Sequence, residues 1–263
     1  MVFRTLLRVA VLAIAIGSAM QARANSWGND RSDLWWNPAE SGWGVMMVQH
    51  QDSIFIATFL YGADGKGTWF NGLLVYDGFD YVGQLIQTEG PSHLGPFNPN
   101  AVARKVVGTA RLIPDGDHRF TFTYTVDGAT VTKNLERLTL AANSLTGEYY
   151  GGLVGMMSNC TPASLDGYYT SLANMTIEHT GFNLTVSGQF SNNHGGNTSC
   201  SFAAVYSQFG RMGEAVGNYS CTSGETGTFR LDRIEVTENG ILATANASSN
   251  VCQFAGRFGA IGR

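Results

Sequence analysis

From Trp43 to the C-terminus the chain is a succession of short runs rich in β-branched, aromatic and Met residues, each closed by a turn signal. That punctuation constrains the fold more than any other feature. Runs of this length with Asp-Gly, Gly-rich or Pro-containing breaks read as antiparallel strands joined by hairpins. In the first half they are Trp43 to His50, Ser53 to Tyr61, Gly67 to Tyr76, Phe79 to Gln87, Ala103 to Ile113, His118 to Val126 and Ala129 to Leu138, about seven strands. The second half repeats the style with Leu145 to Leu153, Asp166 to Leu172, Phe182 to Phe190, Ser199 to Tyr206, Ala215 to Cys221, Gly227 to Val236, Gly240 to Ala245 and Val251 to Phe258. Phrases such as Gly217-Asn218-Tyr219 and Gly256-Arg257-Phe258 set a Gly two residues before an aromatic. In a sharply bent sheet such a Gly relieves crowding while the ring fills the interior. No helical period appears after the first 24 residues. The expectation is an all-β chain of two tandem antiparallel meanders, each a barrel or sandwich, with one larger barrel as the alternative.

The N-terminus reads as an address. Arg4 and Arg8 precede the apolar run Val9 to Ile16, and Ala22-Arg23-Ala24 supplies the small residues a signal peptidase inspects, so cleavage is expected before Asn25. The run is too short to span a bilayer, and no later segment is longer, so no transmembrane segment is expected. The domains are then 1–24 as signal peptide, 25–140 as a Trp-rich β-domain and 141–263 as a disulfide-containing β-domain. Loss of residues 1–24 removes three of 16 basic residues and none of 20 acidic ones, taking the formal charge from -4 to -7. An anionic chain of this kind is a poor nucleic-acid binder, since phosphate is held by Lys and Arg. An exported chain with Cys160, Cys200, Cys221 and Cys252 is expected to oxidise them, because no pair has the short spacing of a zinc site. Folding a hairpin about Gly210 sets Cys200 nearly opposite Cys221, which leaves Cys160 for Cys252. The Asn-x-Ser/Thr triplets of the second half, such as Asn159 and Asn246, are read as chance products of polar strand faces.

All five tryptophans, Trp27, Trp35, Trp36, Trp43 and Trp69, fall within residues 27–69. Clustered indoles either plug a barrel or form a stacking platform for sugars and apolar ligands. Trp43 and Trp69 begin expected strands and read as core; of Trp35 and Trp36 one should see solvent. Between them stands Asp33-Leu34-Trp35-Trp36-Asn37-Pro38-Ala39-Glu40-Ser41-Gly42-Trp43-Gly44, whose Asn37-Pro38-Ala39-Glu40 has the chemistry of a tight turn. With Gln49, Ile54-Phe55, Tyr61, Asp64-Gly65 and Thr68-Trp69, this segment resembles an uncharacterised family of exported proteobacterial β-rich proteins marked by a W-W-N-P-x-E-S-G-W-G signature. The likeness covers roughly residues 31 to 138. The second half, from Gly217-Asn218-Tyr219-Ser220-Cys221 to Cys252 and Gly259, is similar to a Cys-containing β-region that often follows the module. Lys66-Gly67 departs from the family, which commonly carries Pro before Thr-Trp. The resemblance implies export and a β-fold, lipocalin-like in style, and carries over no catalytic residue.

Acid–base chemistry needs two carboxylates, or a carboxylate and a histidine, at one bond. Glu40, Asp33 and His50 are the candidates, with Glu40 equally readable as a turn carboxylate paired with a backbone amide or with Arg104 or Arg137. Ser41 lacks the G-x-S-x-G elbow. The five histidines lack any H-x-H or H-E-x-x-H spacing, and Asp115-Gly116-Asp117 lacks the remaining ligands of a calcium loop, so no metal and no cofactor is expected. The loop from Thr88 to Asn100, with three Pro and two Gly, exceeds an ordinary hairpin connection and suits a binding loop. The sequence therefore points to an exported, non-catalytic β-barrel protein, secreted or periplasmic. It would bind a small apolar ligand, a glycan or a cell-surface partner through Trp35, Trp36, Glu40, His93 and Phe97 of the first half. A hydrolase or lyase acting on an extracellular polymer, and a structural envelope protein, are the rival readings.

Overall fold

A computed structural model describes residues 29–263. The expected signal peptide, its cleavage point and Trp27 lie outside them. The described chain is all-β, with two single-turn 3-10 helices at Pro99–Ala101 and Ala163–Leu165. Its strands form two antiparallel closed barrels of eight. The first contains β1 (Asp33–Trp36), β2 (Gly44–His50), β3 (Ser53–Tyr61), β4 (Gly67–Tyr76), β5 (Tyr81–Glu89), β6 (Ala103–Asp115), β7 (Arg119–Val126) and β8 (Ala129–Arg137). The second contains β9 (Gly147–Ser158), β10 (Gly167–Thr180), β11 (Asn183–Asn192), β12 (Asn197–Phe209), β13 (Met212–Cys221), β14 (Thr226–Thr237), β15 (Gly240–Ser249) and β16 (Gln253–Gly262). Each is an up-and-down order, so every edge finds a partner and none is left to aggregate.

The turns follow the sequence signals. Asp127 and Gly128 both take positive φ, 50° and 82°, as a two-residue hairpin that matches strand twist requires. The eighth strand of the first barrel is the element missing from the sequence reading. Asp33–Trp36 is only four residues long and pairs Trp35 with Arg137 and Trp36 with Glu136, closing the ring against β8. A strand this short carries too few alternations to announce itself. In the second barrel β9 pairs with both β10 and β16. There the strands extend past their expected ends, β10 reaching Thr180 instead of Leu172 and β12 reaching Phe209.

The described chain divides into two compact units, 29–32 with Gly42–Asn134, and Asp33–Ser41 with Leu135–Arg263. In the first unit, Ile54, Ile56, Leu74, Leu112 and Phe122 are fully buried, and Tyr81 and Phe120 nearly so. Inward and outward residues alternate, as a pleated sheet with one packed face demands. Arg31 closes over this core, its guanidinium 5.5 Å from the Phe120 ring centroid and donating to the Gly116 carbonyl at 2.6 Å.

In the second unit both expected disulfides are present, Cys200–Cys221 and Cys160–Cys252. Cys200 and Cys221 are direct cross-strand partners on β12 and β13, as folding about Gly210 requires. Gly152 shows why small residues recur here: a Cβ added to it would lie 1.7 Å from the Ser171 carbonyl oxygen. The neighbouring strand occupies that space, so any side chain would push the sheet open.

Candidate functional site

The second barrel is built like a cup. One end, where β10 turns into β11, β12 into β13 and β14 into β15, is closed by a floor of Leu145, Ile177, Leu184, Tyr206, Ala215 and Ile234, all at most 3% exposed. Tyr206 anchors this floor, accepting from the Asn143 side-chain amide at 3.2 Å and meeting His179 edge-on at 4.6 Å between ring centroids. Toward the opposite end, which carries both disulfides, the interior opens into a cavity of about 250 Å³.

Its walls are aromatic, and the register explains why. Phe202 on β12 stands opposite Tyr219 on β13, two residues along each strand from the Cys200–Cys221 pair. Their rings stack at 5.3 Å with an interplanar angle of 21°. Phe229 meets Phe202 edge-on at 5.4 Å, Phe190 lies 5.6 Å away on the other side, and Tyr169 meets Phe254 edge-on at 5.7 Å. These side chains come from six of the eight strands, and each faces inward because it holds the same phase of the pleat. Stacked and edge-to-face pairs at such distances contribute about 0.5–1.5 kcal/mol each beyond their buried area.

Polar groups gather at the open end. Glu225, in the turn between β13 and β14, is the one acidic side chain among the described lining residues, and it accepts a hydrogen bond from the Tyr219 hydroxyl at 2.8 Å. Burial, reinforced by the adjacent carboxylate, pushes the Tyr219 phenol well above its ordinary value. Burial also raises Tyr169, while Ser171 and Asn192 beside it favour the phenolate weakly. The buried Ser171 hydroxyl, beside Tyr169, is one of the few polar groups lining the cavity. His194 stacks on Tyr169 at 6.1 Å on the rim.

These tyrosines give the fold an alkaline limit. Tyr81, Tyr149, Tyr169, Tyr206 and Tyr219 are all raised from 10.0, desolvation being the first cause in each. A group whose folded value is raised contributes stability that is intact below its unfolded value and is lost as pH climbs toward the folded one. Stability is therefore expected to fall steeply once pH passes about 10, with phenolate absorbance rising in step with loss of the barrel dichroism. Phenolate appearing fully while the dichroism stays native would show these hydroxyls to be open to water.

The residues expected from the sequence are distributed differently. Trp35 is 1% exposed and its ring lies under the Arg137 guanidinium at 4.7 Å, so it is an interior side chain and not an open platform. Trp36 is half-buried, which fits the expectation that one of the two sees solvent. Trp69, expected in the core, points outward and is 44% exposed. Trp43 precedes β2 and is half-buried. Glu40 sits in the Asn37 turn, its backbone N–H donating to the Asn37 carbonyl at 3.0 Å while the Asn37 side chain accepts from Ala39. Asp33 is held by Arg137 at 2.9 Å. His50 ends β2 on the surface, and His93 and Phe97 are exposed on the loop between β5 and β6. Among the described residues no three His, Cys, Asp or Glu side chains come together as a metal site.

The chain is similar to a solved structure. It is a redesigned β-barrel, mFAP1, bound to DFHBI. It is 11% identical with a TM-score of 0.31, and the match covers 45% of this chain and 94% of that one. No family model matches the chain, and no curated protein matches it. No helix among the described residues is long and apolar enough to cross a membrane. Two disulfides fit an oxidising compartment, extracellular or periplasmic.

None of the described tryptophans, conspicuous in the sequence, lines the cup. The usable signal was the Cys200–Cys221 pairing itself, which places Phe202 beside Tyr219 two residues further along the strands.

Proposed function

We propose that the chain is an exported, non-catalytic carrier or sensor that holds a compact apolar molecule inside its second barrel, with one hydrogen-bond-donating end at Glu225. The observation that carries this reading is the 250 Å³ cavity, walled by aromatic side chains with one carboxylate at its rim. Apolar walls with a few convergent polar groups are the usual build of a small-molecule site. A dry cavity of ~150 Å³ accepts benzene, so this one suits about ten non-hydrogen atoms, the size of a fused two-ring compound. Among the described lining residues Glu225 has no second carboxylate beside it, the pair that glycoside hydrolysis uses. Export is supported by Arg4, Arg8 and the Val9 to Ile16 run of the N-terminus, and kinship with the exported proteobacterial family by the Trp35-Trp36-Asn37-Pro38 signature. The ligand site of this proposal lies outside the Trp-rich half.

Fluorescence titration with 1-aminonaphthalene, which has an N–H donor, and with naphthalene, which has none, tests the reading. Saturable binding of both is expected. Glu225→Gln should weaken the amine about fivefold, as expected when a charged acceptor becomes neutral, and leave naphthalene unchanged. Phe202→Trp, which fills the cavity, should abolish both while the near-ultraviolet dichroism stays folded. Wild-type levels of binding in the folded Phe202→Trp protein would place the ligand elsewhere.

A further inference from the structure

The outer wall of the first barrel is as unusual as the interior of the second. On β2, β3 and β4 the outward positions carry Val48, Phe55 and Leu73 in one cross-strand row and Phe59 beside Trp69 in another. These five are 41–59% exposed. Val75 and Val82 extend the patch to β5. No Lys, Arg, Asp or Glu occurs within β2, β3 or β4; the nearby Asp52, Asp64 and Lys66 sit in the turns. The far wall is the opposite. β7 and β8 face outward with threonines that bond across the strands, Thr123 to Thr132 at 3.0 Å and Thr125 to Thr130 at 2.8 Å.

Apolar residues on one side of the ring and hydroxyls on the other do not suit a barrel immersed in lipid, which needs an apolar band all round. They suit a flat contact with one partner. The exposed fractions of these seven residues correspond to roughly 650–700 Å² of surface, more than the largest patch of an ordinary monomer and within the lower range of one side of a specific interface. Because the barrel is closed, no strand edge is free, and association must be face to face through side chains.

We propose that this wall is a two-fold dimer interface between copies of the chain. A two-fold contact lays the patch against itself, so it must be self-complementary. A face with no charge meets that condition without setting like charges opposite each other, which matters for a chain whose formal charge is already negative. Two such patches together bury about 1,300–1,400 Å², inside the range of about 1,200–2,000 Å² for stable specific interfaces. The inference is independent of the cavity and its ligand.

Sedimentation of the disulfide-intact protein across a range of concentrations tests it. Wild type is expected to sediment as a dimer. Leu73→Lys and Phe59→Gln, both at exposed positions and therefore tolerated by the fold, should each yield folded monomer, with the lysine weakening association by about a hundredfold or more. Thr123→Lys on the far wall should leave the dimer intact. A wild-type monomer at all concentrations overturns the proposal, whether or not it binds phosphatidylcholine vesicles through this face. So does a dimer that both patch variants leave unchanged or that Thr123→Lys dissolves.

Discussion

Removing the Cys160–Cys252 disulfide, by Cys160→Ala with Cys252→Ala, is expected to lower unfolding stability by about 4–5 kcal/mol, the largest effect of any covalent change in the chain. The two cysteines are 92 residues apart and tie the segment after β9 to the segment before β16, so the bond encloses six of the eight strands of the second barrel. Closing a loop of that length in the unfolded chain removes more entropy than closing the 21 residues between Cys200 and Cys221, for which about 3 kcal/mol is expected. The order of the two effects follows from loop length alone. Denaturant titration of each double-Ala variant, with the oxidised wild type as reference, measures both. A larger loss for Cys200 and Cys221 than for Cys160 and Cys252 would mean that local geometry outweighs chain entropy here. The Cys160 bond adjoins the cavity through its chain neighbours: Val251, next to Cys252, and Leu165, next to the Asp166 that accepts from the Cys160 N–H at 2.9 Å, are lining residues. Ligand affinity should therefore fall along with stability in that variant.

The two disulfides show how much the sequence can reveal and where it stops. Cys200 and Cys221 were readable because a hairpin has one register, and the turn at Gly210 fixes it. The barrel class was readable because a period of two with turn residues at regular intervals is a local pattern. β1 was not, because four residues give no period and its strand character comes only from pairing with Arg137 and Glu136 at the far end of the first barrel. The orientation of the indoles was illegible for a related reason. Trp69 and Phe70 are adjacent and both apolar, so composition does not say which faces in. The neighbouring strand decides it, by pairing Phe59 with Trp69 on the outer wall. The cavity was hidden more deeply still. Its rings come from strands spread over residues 169–258, and a cavity is the space between side chains, which no single strand encodes. The signature segment around Trp35 and Asn37, conspicuous in the sequence, turns out to shape a turn and a packed corner.

That corner holds the second large effect. Replacing Arg137 by Met is expected to cost about 3–5 kcal/mol, because it strands a buried carboxylate. The Asp33 and Arg137 side chains are 10% and 2% exposed and meet at 2.9 Å. The same Asp33 oxygen accepts the Arg211 backbone N–H at 3.2 Å, while its other oxygen accepts from Leu34 at 2.9 Å. The Arg137 guanidinium in turn covers the Trp35 ring at 4.7 Å, a desolvated cation–π contact worth up to ~2 kcal/mol. There is no slack around this pair: a Cβ at Gly210 would fall 2.3 Å from the Asp33 oxygen, and Gly210 already needs a positive φ of 62°. Breaking one partner should therefore hurt far more than removing both. Asp33→Leu combined with Arg137→Met is expected to recover much of the loss, since an apolar pair of similar volume avoids the desolvation of two charges. A double-mutant cycle by denaturant unfolding gives the coupling directly. If Arg137→Met alone costs less than about 1 kcal/mol, water reaches Asp33, and the carboxylate regains the freedom that acid–base chemistry at this end of the signature segment would need.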